Sequence, residues 1–192
     1  MKRNIFLEGF DVKVVGIDLA GTSNNPTGFA SLHRRVFKTE LIYRDDEIIE
    51  LCQRLGPAVV AIDAPLSLPE RGNLRSADIT LIKRGLRVFP PTFGGMRSLT
   101  SRGIRIAFSL RTMGFEVIEV HPRTSGVILF GKADKGAWST ELRKRGWKLG
   151  KASEHEIDAA IAALTGWLWL KGKFEEVGEP KEGTIIIPLG RL

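Results

Sequence analysis

Cysteine is almost absent from this chain of 192 residues: Cys52 stands alone. No internal disulfide can form, and the thiol falls in a helix-like run where it reads as a small buried apolar group, which fits a reducing cytoplasm. Glutamine is equally scarce, with Gln53 alone, while Glu, Lys and Arg are plentiful, a balance that leans toward a thermophilic source. There is no internal repeat, low-complexity tract or linker. The N-terminus (Met1, Lys2, Arg3, then Ile5-Phe6-Leu7) lacks the long apolar core and small-residue cleavage site of a signal peptide, so neither leader nor anchor is expected. These absences predict a soluble, cytoplasmic single domain over residues 1–192 with no membrane partner.

Charge, by contrast, is abundant and lopsided. The net charge is +7, and Arg71 to Lys151 holds 17 Lys and Arg against 5 Asp and Glu, which leaves the flanks net acidic. A positive middle suggests a polyanionic partner, DNA or RNA; a well-solvated surface is the other reading.

Two stretches organise the rest. Val14-Val15-Gly16-Ile17-Asp18-Leu19-Ala20 is a short apolar run closed by a small-residue turn, and Val59-Val60-Ala61-Ile62-Asp63-Ala64-Pro65 repeats the pattern. Both read as strands buried on two faces, each ending on a carboxylate. If the strands are neighbours, the carboxylates share one end of the sheet, and two like charges there call for a cation or for a retained proton.

Between them, the turn formers of 21–28 and the apolar runs 29–32 and 36–42 predict an antiparallel meander. Asp45 or Asp46 is the expected cap of a helix through Leu55. Residues 66–97, rich in Pro and Gly, are expected as an inserted lobe or lid holding a helix over 76–84. A helix from Leu99 to Met113 follows, with Ile104, Ala107, Phe108 and Leu110 inward and Arg102, Arg105 and Arg111 toward solvent. A fifth strand spans 115–120, a short helix 127–130 and a basic segment 137–148. Ser153 and Glu156 form a capping box for a helix to about Leu170. Residues 173–192 read as a C-terminal hairpin turning near Glu182-Gly183, whose Ile185-Ile186-Ile187 run needs a partner strand or a covering surface.

On that last helix His155 and Asp158 are three residues apart and share a face. Asp18, Asp63, Asp158 and His155 make an oxygen-rich set with one imidazole, suited to Mg²⁺ or Mn²⁺, whereas zinc brings more His or Cys. Hard cations held by carboxylates serve phosphodiester cleavage, in two-ion sites about 3.5–4 Å apart. Each residue also has a plainer reading. Asp18 and Asp63 can hold turns, His155 can be a surface residue, and Glu119 can line the site or neutralise an arginine. Arg75 can pair with Asp78 or meet a phosphate, and Trp167 and Trp169 read as packing groups.

The motifs Gly16-Ile17-Asp18-Leu19-Ala20, Ala61-Ile62-Asp63-Ala64-Pro65-Leu66, Arg75-x-x-Asp78, Glu119-Val120-His121-Pro122 and His155-x-x-Asp158-Ala159 resemble the family called domain of unknown function 429. More broadly, they resemble the RNase H-like superfamily and its RuvC-type resolvases. The resemblance implies an α/β fold: a mixed five-stranded sheet, three antiparallel strands plus parallel ones, flanked by helices. It implies a Mg²⁺- or Mn²⁺-dependent nuclease, with Asp18, Asp63, Asp158 and His155 as ligands and Glu119 as a further catalytic candidate. Arg75, Arg97 and Arg102 are the candidate substrate-binding cations, nucleic acid the partner, and a homodimer a candidate assembly. Resolvases commonly place a glutamate where this chain has Asp63. Ile17 to Thr22 also resembles the phosphate turn of actin-like kinases, which close two such cores around a nucleotide. A third reading is a nucleic-acid-binding module without catalysis.

Overall fold

Strands β1 (Val14–Asp18), β2 (Thr27–His33) and β3 (Val36–Ile42) form the antiparallel meander. The β2–β3 turn is closed by Arg34 and Arg35, both at positive φ (48° and 63°), the backbone of a tight two-residue hairpin. Strand β4 (Val59–Asp63) lies parallel to β1, and β5 (Val117–Val120) parallel to β4. These positions belong to a computed structural model that describes residues 11–192; the N-terminal stretch read above as neither leader nor anchor lies outside the described residues.

The sheet does not stop at five strands. The C-terminal hairpin, β6 (Phe174–Glu179) and β7 (Gly183–Pro188), joins it: β7 pairs in parallel with β5 at Glu119↔Ile185 and Val120↔Ile186. The order is β3-β2-β1-β4-β5-β7-β6, seven strands. The expected five-stranded sheet is thus extended by two, because the Ile185–Ile187 run finds its partner in a strand that would otherwise be an edge.

Helices α1 (Asp45–Leu55), α2 (Ser76–Lys83), α3 (Met96–Thr112), α4 (Pro122–Phe130), α5 (Lys135–Lys144) and α6 (Glu154–Leu170) complete the fold. The Ser153 capping box is present as predicted. Helix α1 is capped otherwise than expected: Glu47 accepts from the Tyr43 and Arg44 amides, and neither Asp45 nor Asp46 is the cap. Helix α4 starts at Pro122, earlier than expected, since a proline at the first helical position is already set at helical φ. In α3 the buried set is Gly103, Ile106, Ala107 and Leu110, one helical face, so Ile104 is only partly buried, Phe108 is exposed and Arg102 turns inward.

Two cores lie on the two faces of the sheet. Val14, Ala30, Ala61 and Ile118 pack with α4, α5 and α6, while Val15, Ile17, Val60 and Ile62 pack with α1 and α3. Side chains alternate along a strand, so Asp18 and Asp63 share the face on which α6 lies, and Glu119 takes the opposite one. A third cluster joins α2 to the hairpin through Ala77, Leu81, Val177, Ile185 and Ile187.

Helix α6 runs in backbone contact with the sheet. A Cβ at Gly16 would collide with the Ala159 carbonyl and the Ala163 amide, and one at Gly28 with the His155 carbonyl. Only glycine leaves room there. Gly16→Ala is expected to lower stability by about 3 kcal/mol, because backbone atoms cannot move aside as a side chain would; chemical denaturation at constant pH measures it.

Candidate metal centre

In the register of β1 and β4, Asp18 stands opposite Asp63. Gly28, the partner of Asp18 on β2, is where the first turn of α6 touches the sheet. That docking delivers His155, whose Nδ1 lies 2.7 Å from Asp18 Oδ2, and, one turn on, the largely buried Asp158. Two strand ends and one helix start therefore bring the four candidate ligands to one corner.

Their electrostatics are unbalanced. Burial raises the pKa of Asp63 well above the ordinary carboxylate value, and the charges of Asp18, Asp158 and Glu119 raise it further. Burial also raises Asp18, against the opposing pull of its His155 contact. Asp158 is pushed up to about 6 by burial, with Asp18 adding to it and Lys135 opposing. Crowded carboxylates with depressed acidity are the surroundings in which a divalent ion, or a retained proton, lowers the energy.

Lys135 is the residue that sequence reasoning missed. From the first position of α5 its Nζ reaches Asp158 Oδ2 at 2.5 Å and Glu154 at 3.3 Å. It also lowers the pKa of both Asp18 and Asp63. Nothing in its local sequence marks it, since the contact spans α5 and α6. No three Asp, Glu, His or Cys side chains among the described residues stand as a group able to hold an ion. The donor set still fits a hard cation: its atoms are carboxylate oxygens and one imidazole, and buried Asp158 Oδ1 has no hydrogen-bond partner.

Three other candidates do different work. Arg75 is 1% exposed, and its guanidinium is held by Asp78 (3.0 and 3.1 Å) and by both oxygens of Glu119 (2.6 and 2.7 Å). It therefore faces no phosphate. Glu119 also accepts from the Leu66 amide at 2.7 Å, so both its oxygens are engaged by Arg75 and Leu66; it leaves its strand on the face opposite Asp18 and Asp63 but borders the same cavity at the strand ends. Arg102, expected at the surface, is buried and donates to Asp45, to the Ala20 carbonyl and to the Tyr43 carbonyl at 2.7–2.8 Å, fixing the turn after β1. Arg97 is exposed and keeps its availability.

A cavity of about 180 Å³ opens beside the aspartates, bordered by Asp18, Asp63, Val88, Phe89, Met96 and His121. His121 donates or accepts at Thr124 Oγ1 (2.7 Å), and burial lowers its pKa to about 4, so its ring is neutral near pH 7. Trp167 packs edge-on against Trp147 and Trp169 against Phe174, the packing roles read for them.

The family model described as protein of unknown function (DUF429) matches residues 16–183. The chain belongs to the DUF429 family. No curated protein matches it significantly. Among solved structures, the DUF429 chain is similar to T. thermophilus RuvC in complex with a Holliday junction substrate: TM-score 0.53 and 17% identity over 84% of this chain and 96% of that one. The Thermus thermophilus RuvC structure gives TM-score 0.50 and 16% identity over 84% and 97%. At such identities the likeness concerns the fold, which is RNase H-like.

Two outcomes follow for the DUF429 chain. Arg75→Met, which strands two buried carboxylates, is expected to cost about 3–5 kcal/mol in chemical denaturation, whereas an arginine serving only substrate would leave stability unchanged. For Asp158, the folded pKa near 6 lies above the unfolded value of 3.8, so its contribution is best below pH 4 and is lost as pH rises through 6. Without metal, Asp158→Asn should therefore gain about 2–3 kcal/mol over wild type between pH 4 and pH 7, read from thermal melts in chelator.

Proposed function

We propose that the protein is a divalent-metal-dependent phosphodiesterase acting on nucleic acid. The observation that carries this reading is the meeting of Asp18, Asp63 and Asp158, from three distant segments, in one corner where burial raises all three pKa values and carboxylate repulsion adds to it at Asp63 and Asp158. Supporting it, the fold is shared with RuvC, a protein seen on a Holliday junction, and the middle of the chain is strongly basic.

In this reading Asp18, Asp63 and Asp158 hold Mg²⁺ or Mn²⁺, with His155 as a further ligand or as a proton carrier at the solvent side of Asp18. When bound there, a divalent ion would supply Lewis-acid chemistry for phosphodiester hydrolysis. Lys135, whose Nζ lies 2.5 Å from Asp158 Oδ2, would have to yield that contact for Asp158 to serve as a ligand. Arg97 and the basic surface hold backbone phosphates, which positions a strand without reading its bases.

A second reading, a nucleic-acid-binding module without catalysis, is favoured by the fact that no three ligand-type side chains among the described residues already form an ion site. The kinase reading is not favoured, since the described residues build one sheet and one such core.

Calorimetric titration with Mn²⁺ separates the two surviving readings. The nuclease reading expects binding, and loss of that binding together with Mn²⁺-dependent cleavage in Asp18→Asn, whose circular dichroism stays that of wild type. Absence of Mn²⁺ binding, with duplex, single-stranded and branched DNA and RNA all uncut, supports the binding module.

A further inference from the structure

Next to the acidic corner lies a second cavity, of about 510 Å³, bordered by the turn after β1 and by α1 and α3. Its walls carry four hydroxyls, on Thr22, Ser23, Ser98 and Ser101, and the guanidinium groups of Arg44, which is paired with Asp46, and of Arg105. Thr22, Ser23 and Ser101 make no side-chain hydrogen bond among the described residues. The cavity's carboxylate, Asp45, is already held by buried Arg102 at 2.7 Å. Arg105 touches Asp45 only at 3.4 Å, and its side chain is 65% exposed. With Arg102 on Asp45 and Arg44 on Asp46, the lining keeps one loosely held cation, Arg105, beside its hydroxyl donors, and it has no aromatic or aliphatic side chain.

We propose that this cavity is a phosphodiester-binding cradle that grips the nucleic-acid strand beside the acidic site. It rests on the reading above for the identity of the strand. Donors without a stacking surface suit the backbone and leave bases outside. The position is also fitting. Gly21 is three residues past Asp18, so at about 3.6 Å per residue the cradle begins within about 11 Å of the Asp18 Cα, roughly three nucleotide steps of a stacked strand. The turn is fixed there: Arg102 holds the Ala20 carbonyl at 2.8 Å, and a Cβ on Gly21 would sit 3.1 Å from Ser98 Oγ. Turn and helix therefore form one rigid surface, with Arg105 as its movable cation.

The test uses a labelled single-stranded oligonucleotide, its binding to the whole protein measured in chelator across a salt series. Arg105→Ala should weaken binding about tenfold and lower the slope of log K against log salt by about 0.7, one phosphate contact. Ser98→Ala/Ser101→Ala should weaken it several-fold with the slope unchanged, and the remote Lys173→Ala serves as the control for lost charge. Both cradle variants should bind Mn²⁺ like wild type. If both bind the oligonucleotide as the control does, the cradle is overturned, even where Mn²⁺ binding and cleavage persist. If inorganic phosphate binds wild type as tightly as the oligonucleotide, the site takes a small anion and the strand assignment is overturned. If cradle variants lose the oligonucleotide while no protein binds Mn²⁺, the cradle stands and the metal reading falls.

Discussion

The contact of α6 with the sheet is the constraint on which the molecule turns. A helix normally stands off a sheet by the thickness of its side chains. Here Gly16 and Gly28 on the strands, facing Ala159, Ala163 and the His155 carbonyl, remove that thickness. The close approach sets how far the first turn of α6 reaches past the end of β1, and so where His155 and Asp158 arrive relative to Asp18. A bulkier residue at either glycine would lift the helix and part the acidic groups, even with every one of them retained.

Buried charge is handled in two opposite ways on the two sides of β4. On the side of α2 and α3, Arg75 joins Glu119 and Asp78 in a network whose donors and acceptors are matched, and both acids are fully engaged. On the α6 side, Asp18, Asp63 and Asp158 crowd together with one lysine and one histidine, and an oxygen of Asp158 is left without a partner. The first arrangement fixes the segment after β4 in place; a structure needs no more from it. The second leaves like charges crowded in a buried corner, an arrangement that costs stability and is common where side chains serve binding or catalysis.

Much of this was legible in the sequence, for local reasons. The two strands ending in Asp18 and Asp63, the capping box at Ser153 and the His155–Asp158 spacing are all written in contiguous residues, and their meeting follows once the strands are parallel neighbours. What escaped was long-range. Arg75 reads equally as a phosphate ligand or a buried anchor until Glu119, 44 residues away, is seen across from it. Arg102 looks solvent-facing if Ile104 and Phe108 are taken as the inner side of α3, an error of one helical face. Lys135 is one lysine among many in a basic stretch, and only the packing of α5 against α6 singles it out. The hairpin was anticipated, but its docking on β5 depended on which strand lay unpaired.

That docking also determines what the border of the sheet offers to other molecules. As the outermost strand, β6 presents main-chain groups onto which a foreign strand would otherwise zip. Its sequence, Phe174-Glu175-Glu176-Val177-Gly178-Glu179, carries three glutamates, Glu175 tied to Arg84 at 2.6 Å and Glu179 to Lys181 at 3.4 Å. Negative charge on the rim repels another copy of the same rim, and it repels polyanions equally. The hairpin that completes the sheet thus also gives the protein a back, a flank unsuited to a polyanion.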